Sequence, residues 1–298
     1  MGLQVRNEGG FRVFRKNVEK PLKSCSGPVE TVVRQDAFLT SRLSPNRGRR
    51  KAALGSFRVV STHTCLASLP LMDIVFVRHG QPQWAIDGIS QSDPFLTTLG
   101  QEQAKFAADR LASDPKPATE LIASPAVRAQ ETAAPISDET DLAVLTIDDL
   151  LEVKMPDWEG VTEESVIEIF KTTKDRTPEE WWEGLPGGES FREFHNRVTD
   201  ALDGLLEARG VFRDPLDPRL WHMTTDPGRL VIVAHGGTNS VCLTHLLGIP
   251  PAPWEWERLV LFHASFARIK MIPLAGAYVP SLRTFNDQDH IPLELRSR

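Results

Sequence analysis

Cysteine is scarce. The 298-residue chain holds three, and two of them, Cys25 and Cys65, fall within the first seventy residues. The remainder has Cys242 alone, so it cannot close an internal disulfide, and no Cys-x-x-Cys pair offers a zinc or redox site. This usage fits a reducing compartment, and a cytoplasmic location is expected. Long apolar runs are missing too. The most membrane-like piece, Val60 to Met72, is broken by Ser61, Thr62, His63 and Thr64 and closed by Asp73. It falls short of the ~20 apolar residues that a spanning helix needs, so no membrane partner is expected. There is no His-Glu-x-x-His, P-loop, EF-hand loop or Gly-x-Gly-x-x-Gly. The common metal and nucleotide signatures are therefore absent, and neither a metal nor another cofactor is expected.

What is present is ordinary for a globular chain: 41% hydrophobic and 25% charged residues. The charge is unevenly spread. Residues 1–71 carry 13 Lys and Arg against 4 Asp and Glu, a net of +9, whereas 72–298 carry 21 against 36, a net of −15. An acidic body argues against nucleic acid as a partner, because that affinity comes mainly from Lys and Arg on phosphates. A phosphate bound here would be held by a few local cations inside an acidic envelope. Residues 1–71, with the run RGRR at Arg47–Arg50, read as a basic, disordered extension. A transit peptide, a basic tail and an upstream-start artefact compete to explain it. The artefact is favoured, because Met72 immediately precedes the first good strand.

From Asp73 onward, strand-like and helical runs alternate. The pattern predicts strands at Ile74–Val77, Glu120–Ala123, Ala143–Ile147, Arg229–Ala234 and Phe262–Ile272. Helices are predicted over Leu99–Leu111, Pro125–Ala134 with Ser124 as its cap, Glu163–Phe170, Pro178–Trp182, Ser190–Ala208 and Thr238–Leu247. This alternation indicates an α/β three-layer sandwich, a mostly parallel central sheet flanked by helices, with a helical insert. Such sheets bind ligands at the carboxyl ends of their strands.

Two strands end alike. DIVFV runs into Arg78-His79-Gly80, and LVIVA runs into His235-Gly236-Gly237. A single histidine after a strand is unremarkable chemistry. Two of them, each followed by glycine that lets a ligand approach the backbone, are candidates for one site. Gly237 opens a helix whose first amides can receive an anion. Arg78, beside a buried strand, needs an anionic partner. Arg128 lies one turn into a helix and can reach back to the sheet rim; alone, it also reads as a solvated arginine paired with Glu131 or Glu120. Glu152 follows the apolar pair Leu150-Leu151, where desolvation can raise a carboxylate's proton affinity and suit it to general-acid work. It also reads as a surface glutamate beside Asp148 and Asp149.

These residues fall in blocks that resemble the histidine phosphatase superfamily, the phosphoglycerate mutase-like proteins. IVFVRHG is the strongest block. FLTTLGQEQAKFAADRL, SPAVRAQETA, LLEVKMPDWEG, PGGESFREFHNRV, VIVAHGG and TFNDQDHI follow in the family's order. The resemblance runs from Asp73 to Pro292 and covers none of the first seventy residues. It implies that His79 is the nucleophile and forms a phosphohistidine, with its other ring nitrogen donating to a backbone carbonyl. It implies that Arg78, Arg128 and His235 surround the phosphoryl oxygens, and that Glu152 protonates the leaving alkoxide. Gln81 and Trp84, just after Arg-His-Gly, and the segment from Val153 to Gly188 would overlie the leaving group, with Gly236 beside the phosphate. For Trp84 and Trp158 a core position is the alternative, and Trp181-Trp182 reads as packing.

The dedicated mutases of that family carry a Trp-Asn pair, a Gly-Trp stretch and an Arg-His-Tyr-Gly block. This chain has QPQWAIDGISQSDPFLT and Val153-Lys154-Met155-Pro156 in those places. The expected activity is accordingly hydrolysis of a small phosphomonoester, with mutase-type transfer and a catalytically weak phosphate-binding module as alternatives. An esterase reading of His235-Gly236-Gly237 lacks its Gly-x-Ser-x-Gly elbow. The oligomeric state is left open, a homodimer included.

Overall fold

The computed structural model describes residues 71–298. The expectations for residues 1–70 therefore lie outside the described residues. The strands are β1 (Met72–Arg78), β2 (Ala85–Ile86), β3 (Ile89–Ser90), β4 (Glu120–Ala123), β5 (Val144–Thr146), β6 (Val211–Arg213), β7 (Trp221–Met223), β8 (Gly228–Ala234), β9 (Phe266–Leu274) and β10 (Ala277–Asp287). The helices are α1 (Thr98–Ala112), α2 (Val127–Thr140), α3 (Glu163–Thr173), α4 (Pro178–Trp182), α5 (Phe191–Glu207), α6 (Gly236–Leu247) and α7 (Glu255–Arg258).

Eight strands form one sheet in the order β5-β4-β8-β1-β9-β10-β7-β6. The α/β architecture is as read from the sequence, and the sheet is mixed. β5, β4, β8 and β1 run parallel, while β9, β10, β7 and β6 are added antiparallel. β1 shows why the sheet is covered on both sides. Met72, Ile74 and Phe76 point into one core with Val198 and Leu202 of α5 and Leu246 of α6. Val75 and Val77 point into the other, against the alanines of α1 and α2, among them Ala107, Ala108, Ala129 and Ala133. Alternation along a strand puts successive side chains on opposite faces. Each fully buried aliphatic or phenyl side chain contributes roughly 1.5–3 kcal/mol.

Three sequence expectations are corrected and one strand is added. Ser124 does not cap α2, which starts at Val127 with Ala126 at its cap position; the Ser124 hydroxyl is used elsewhere. α2 does not stop before Pro135 but runs through it to Thr140, because Ile136 beyond the proline is fully buried in the core. β9 begins at Phe266, not Phe262, because the Ser265 amide turns back to the Phe262 carbonyl and Ala264 has a φ of 52°. β10, unread in the sequence, pairs along β9.

Candidate active site

The register of the two parallel strands builds the site. β1 pairs with β8 so that Arg78 stands opposite Ala234. The next residue on each strand is a histidine, and the His79 amide donates to the Ala234 carbonyl at 2.9 Å. The two imidazoles, 156 positions apart in sequence, lie with ring centroids 5.2 Å apart. Both are buried.

His79 has a defined tautomer. Its Nδ1 lies 2.7 Å from the Gly80 carbonyl, which only accepts, so the proton is on Nδ1. Nε2 therefore presents a lone pair, and Arg128 Nε donates to it at 3.3 Å. Arg128 is buried on the first turn of α2, with Asp93 Oδ1 3.3 Å from Nη1 and the Trp84 ring 5.1 Å from its guanidinium carbon. Trp84 is 49% exposed and so lies outside the core. Trp158 packs edge-on against Phe170, and Trp181 and Trp182 pack against Trp254 and Phe191. Gln81 is anchored: its amide donates to Gln103, and its side-chain oxygen accepts from the Thr97 hydroxyl.

Arg78 donates to the Leu261 carbonyl at 2.5 Å and to His263 Nε2 at 3.2 Å. Its guanidinium lies across the start of α6, where a Cβ on Gly236 would sit 3.7 Å from Nε. His235 Nε2 is 2.7 Å from the Ser124 hydroxyl, the use to which that serine is put. Its Nδ1 is buried and has no partner among the described residues.

Glu152 sits after the turn Asp148–Leu150 and is half-buried. Gly237 N donates to its Oε2 at 2.8 Å and Val153 N to its Oε1 at 3.0 Å. The second amide of α6 thus serves the carboxylate, a use the sequence reading assigned to an anionic ligand. Arg197 of α5 donates to the carbonyls of Asp149, Leu151 and Glu152 and forms a two-pronged pair with Glu189. That pair fixes the backbone on both sides of Glu152.

The structure therefore brings together Arg78, His79, Arg128, His235 and Gly236, with Glu152 joined to the same helix start and Trp84 on Arg128. His263, Ser124, Gln103, Asp93 and Arg197 were missed. Ser124, Gln103 and Arg197 stand inside the quoted blocks, but the contacts that give them their roles, Ser124 with His235, Gln103 with Gln81 and Ser297, and Arg197 with the backbone at Glu152, join distant parts of the chain, as do those of His263 and Asp93.

Burial lowers the proton affinity of the rings. His79 and His235 are held well below the usual imidazole range, first by desolvation, then for His79 by His235 and Arg128 and for His235 by Arg128 and Arg78. Desolvation also brings His263 to about 3 and His290 to about 4. Arg78 is lowered to about 10, mainly by burial, against the pull of Glu152. In the unfolded chain these four rings take up protons near pH 6.5, and in the fold they stay neutral to lower pH. The unfolded state thus binds more protons, so stability is full above pH 6.5 and falls as pH drops toward the lowered folded values. The expected slope is about 1.4 kcal/mol per pH unit for each ring that is protonated on unfolding. Urea midpoints at neutral and mildly acidic pH measure it; a midpoint that does not fall would contradict the burial of these rings.

A strand-end Arg-His-Gly facing a second His-Gly-Gly, a buried and a half-buried guanidinium, and a carboxylate at the start of the helix after the second histidine is an arrangement that known proteins share. Residues 74–274 match the family model of the histidine phosphatase superfamily, branch 1. A protein of Yersinia enterocolitica named "Probable phosphoglycerate mutase GpmB" is 32% identical over 208 residues, 67% of this chain and 85% of its own. The mycobacterial glucosyl-3-phosphoglycerate phosphatase, in complex with inorganic phosphate, superposes with a TM-score of 0.55 at 25% identity, over 74% of this chain and 99% of that one. The α-ribazole phosphatase of Shigella flexneri does so with a TM-score of 0.55 at 22% identity, over 72% and 96%. With the matched region spanning both histidine strands and everything between them, the chain belongs to the histidine phosphatase superfamily.

Proposed function

We propose that this protein hydrolyses a small phosphomonoester through a phosphohistidine on His79. The observation that carries the reading is the His79 ring itself, with Nδ1 spent on the Gly80 carbonyl and Nε2 turned to Arg128. Nε2 attacks phosphorus in line as the leaving oxygen departs, and water then attacks the phosphohistidine and returns the ring to its neutral state. Phosphoryl transfer depends mainly on positioning and charge stabilisation. Arg78, Arg128 and the free Nδ1 of His235 supply donors for the equatorial oxygens, so the reaction needs no added metal ion. Glu152 gives its proton to the leaving alkoxide and takes one from the incoming water. Trp84 walls the leaving-group side, stacked on Arg128.

Relatives are named for both chemistries, one a phosphoglycerate mutase and one a phosphatase. The segment after Glu152, Val153 to Pro156, carries Lys154 but none of the arginine, histidine or tyrosine of the mutase block, which favours hydrolysis. The fate of phosphate decides. A panel of phosphomonoesters assayed with chelator present is expected to release inorganic phosphate, and phosphoglycerate is not expected to be isomerised. Isomerised phosphoglycerate without phosphate release would replace this reading with mutase-type transfer.

A further inference from the structure

Arg78 is aimed from one side by a loop that the proposed chemistry does not otherwise use. Its Nη1 donates to the Leu261 carbonyl and its Nη2 to His263 Nε2. A guanidinium has donors only, so His263 Nε2 presents its lone pair and the ring proton sits on Nδ1. That proton goes to the Ser297 hydroxyl oxygen at 2.9 Å. The same oxygen accepts from Gln103 Nε2 at 2.9 Å, so both its lone pairs are engaged. Gln103 is fully buried on α1, and its own oxygen accepts from the Gln81 amide at 2.9 Å. The contacts form a closed ring. They run from Arg78 through His263, Ser297 and Gln103 to Gln81, in the loop that carries His79.

His263 lies 5.8 Å from the His79 ring, close enough to be mistaken for a third reacting imidazole. Its Nε2 faces the Arg78 guanidinium and its Nδ1 the Ser297 hydroxyl, so the ring is set to hold Arg78. Arg78 Nε, by contrast, is buried with no partner among the described residues. The loop grips the two outer nitrogens and leaves the inner one for an anion. We infer that His263, held by Ser297 and Gln103, is a positioning residue that aims Arg78 at the phosphoryl group. This rests on the proposed phosphate-binding reading of the site.

The test is inorganic phosphate binding by calorimetry on the full chain, with KM and kcat for nitrophenyl phosphate. Groups that orient metal ligands are worth roughly 10–100-fold, and on the same logic of orientation His263→Phe is expected to weaken phosphate about tenfold. His263→Gln keeps an acceptor within reach of Arg78 and is expected to recover most of the affinity. Ser297→Ala is expected to weaken binding and Ser297→Thr to retain it; Ser297 is half-buried, so this pair carries the test even if His263→Phe does not fold. On an Arg78→Gln background, His263→Phe is expected to add nothing, because its effect passes through Arg78. Normal phosphate binding by both His263→Phe and Ser297→Ala would overturn the inference, as would a full further loss on that background. Failure of the wild type to bind phosphate would remove the proposed function itself, and the inference with it.

Discussion

Replacing His79 with alanine is expected to lower phosphate release by ~10³-fold or more for every substrate. The ring supplies the attacking atom, while His235 is set against Ser124 and His263 against Arg78 and Ser297 in supporting roles. Glu152 is tied to two amides at the start of α6 and beside itself. The loss should fall on turnover and leave phosphate affinity largely in place, because Arg78, Arg128 and His235 remain to hold the oxygens. Two measurements check this. Steady-state phosphate release gives the loss, and quenched labelling with a radioactive phosphomonoester should give an acid-labile phosphoenzyme in the wild type and none in the variant. Turnover that survives in His79→Ala, or a phosphoenzyme that persists without the ring, would remove His79 from the nucleophilic role.

The two strands that carry the histidines were legible because each is a short β-branched run that ends on an abrupt polar group, a contrast visible without any partner. Their adjacency was not legible. It depends on the register of β1 against β8, which joins segments more than 150 residues apart. Ser124 shows how local rules lose to tertiary demand. Ser-Pro before a helical run reads as a cap, but the hydroxyl faces His235 and the helix begins three residues later. β10 stayed hidden for another reason. Pro280 in its middle argues against an inner strand. β7 pairs with β10 only at Tyr278, so beyond that point β9 is the one strand beside β10 among the described residues, and the proline is tolerated. His263 was unreadable in principle. It stood inside what looked like a strand, and its role is defined by Arg78, Ser297 and Gln103, which come from distant parts of the chain. Sequence thus reports the groups that do chemistry better than the groups that aim them.

Glu152→Gln is expected to slow phosphoenzyme formation by ~10²–10⁴-fold for alkyl phosphates, whose leaving oxygen needs a proton, and little for nitrophenyl phosphate, whose oxygen departs as a stable anion, while the water step, which uses the same carboxylate as base, slows alike for both. The split between leaving groups is the diagnostic, because a carboxylate that merely held the fold would cost both substrates alike. The geometry offers an independent way to move the same group. A Cβ on Gly237 would stand 2.4 Å from Glu152 Oε1, closer than side-chain atoms approach. The carboxylate lies on a segment whose backbone Arg197 and Glu189 hold, so the carboxyl group has to swing away from the helix start. Gly237→Ala is therefore expected to leave Glu152 present but misplaced, and to reproduce the leaving-group split of Glu152→Gln. In the double variant the two losses should not multiply, because each removes the same proton donor from the same place. Losses that multiply, or phosphoenzyme formation slowed equally from alkyl and nitrophenyl esters in either single variant, would mean that the proton comes from elsewhere.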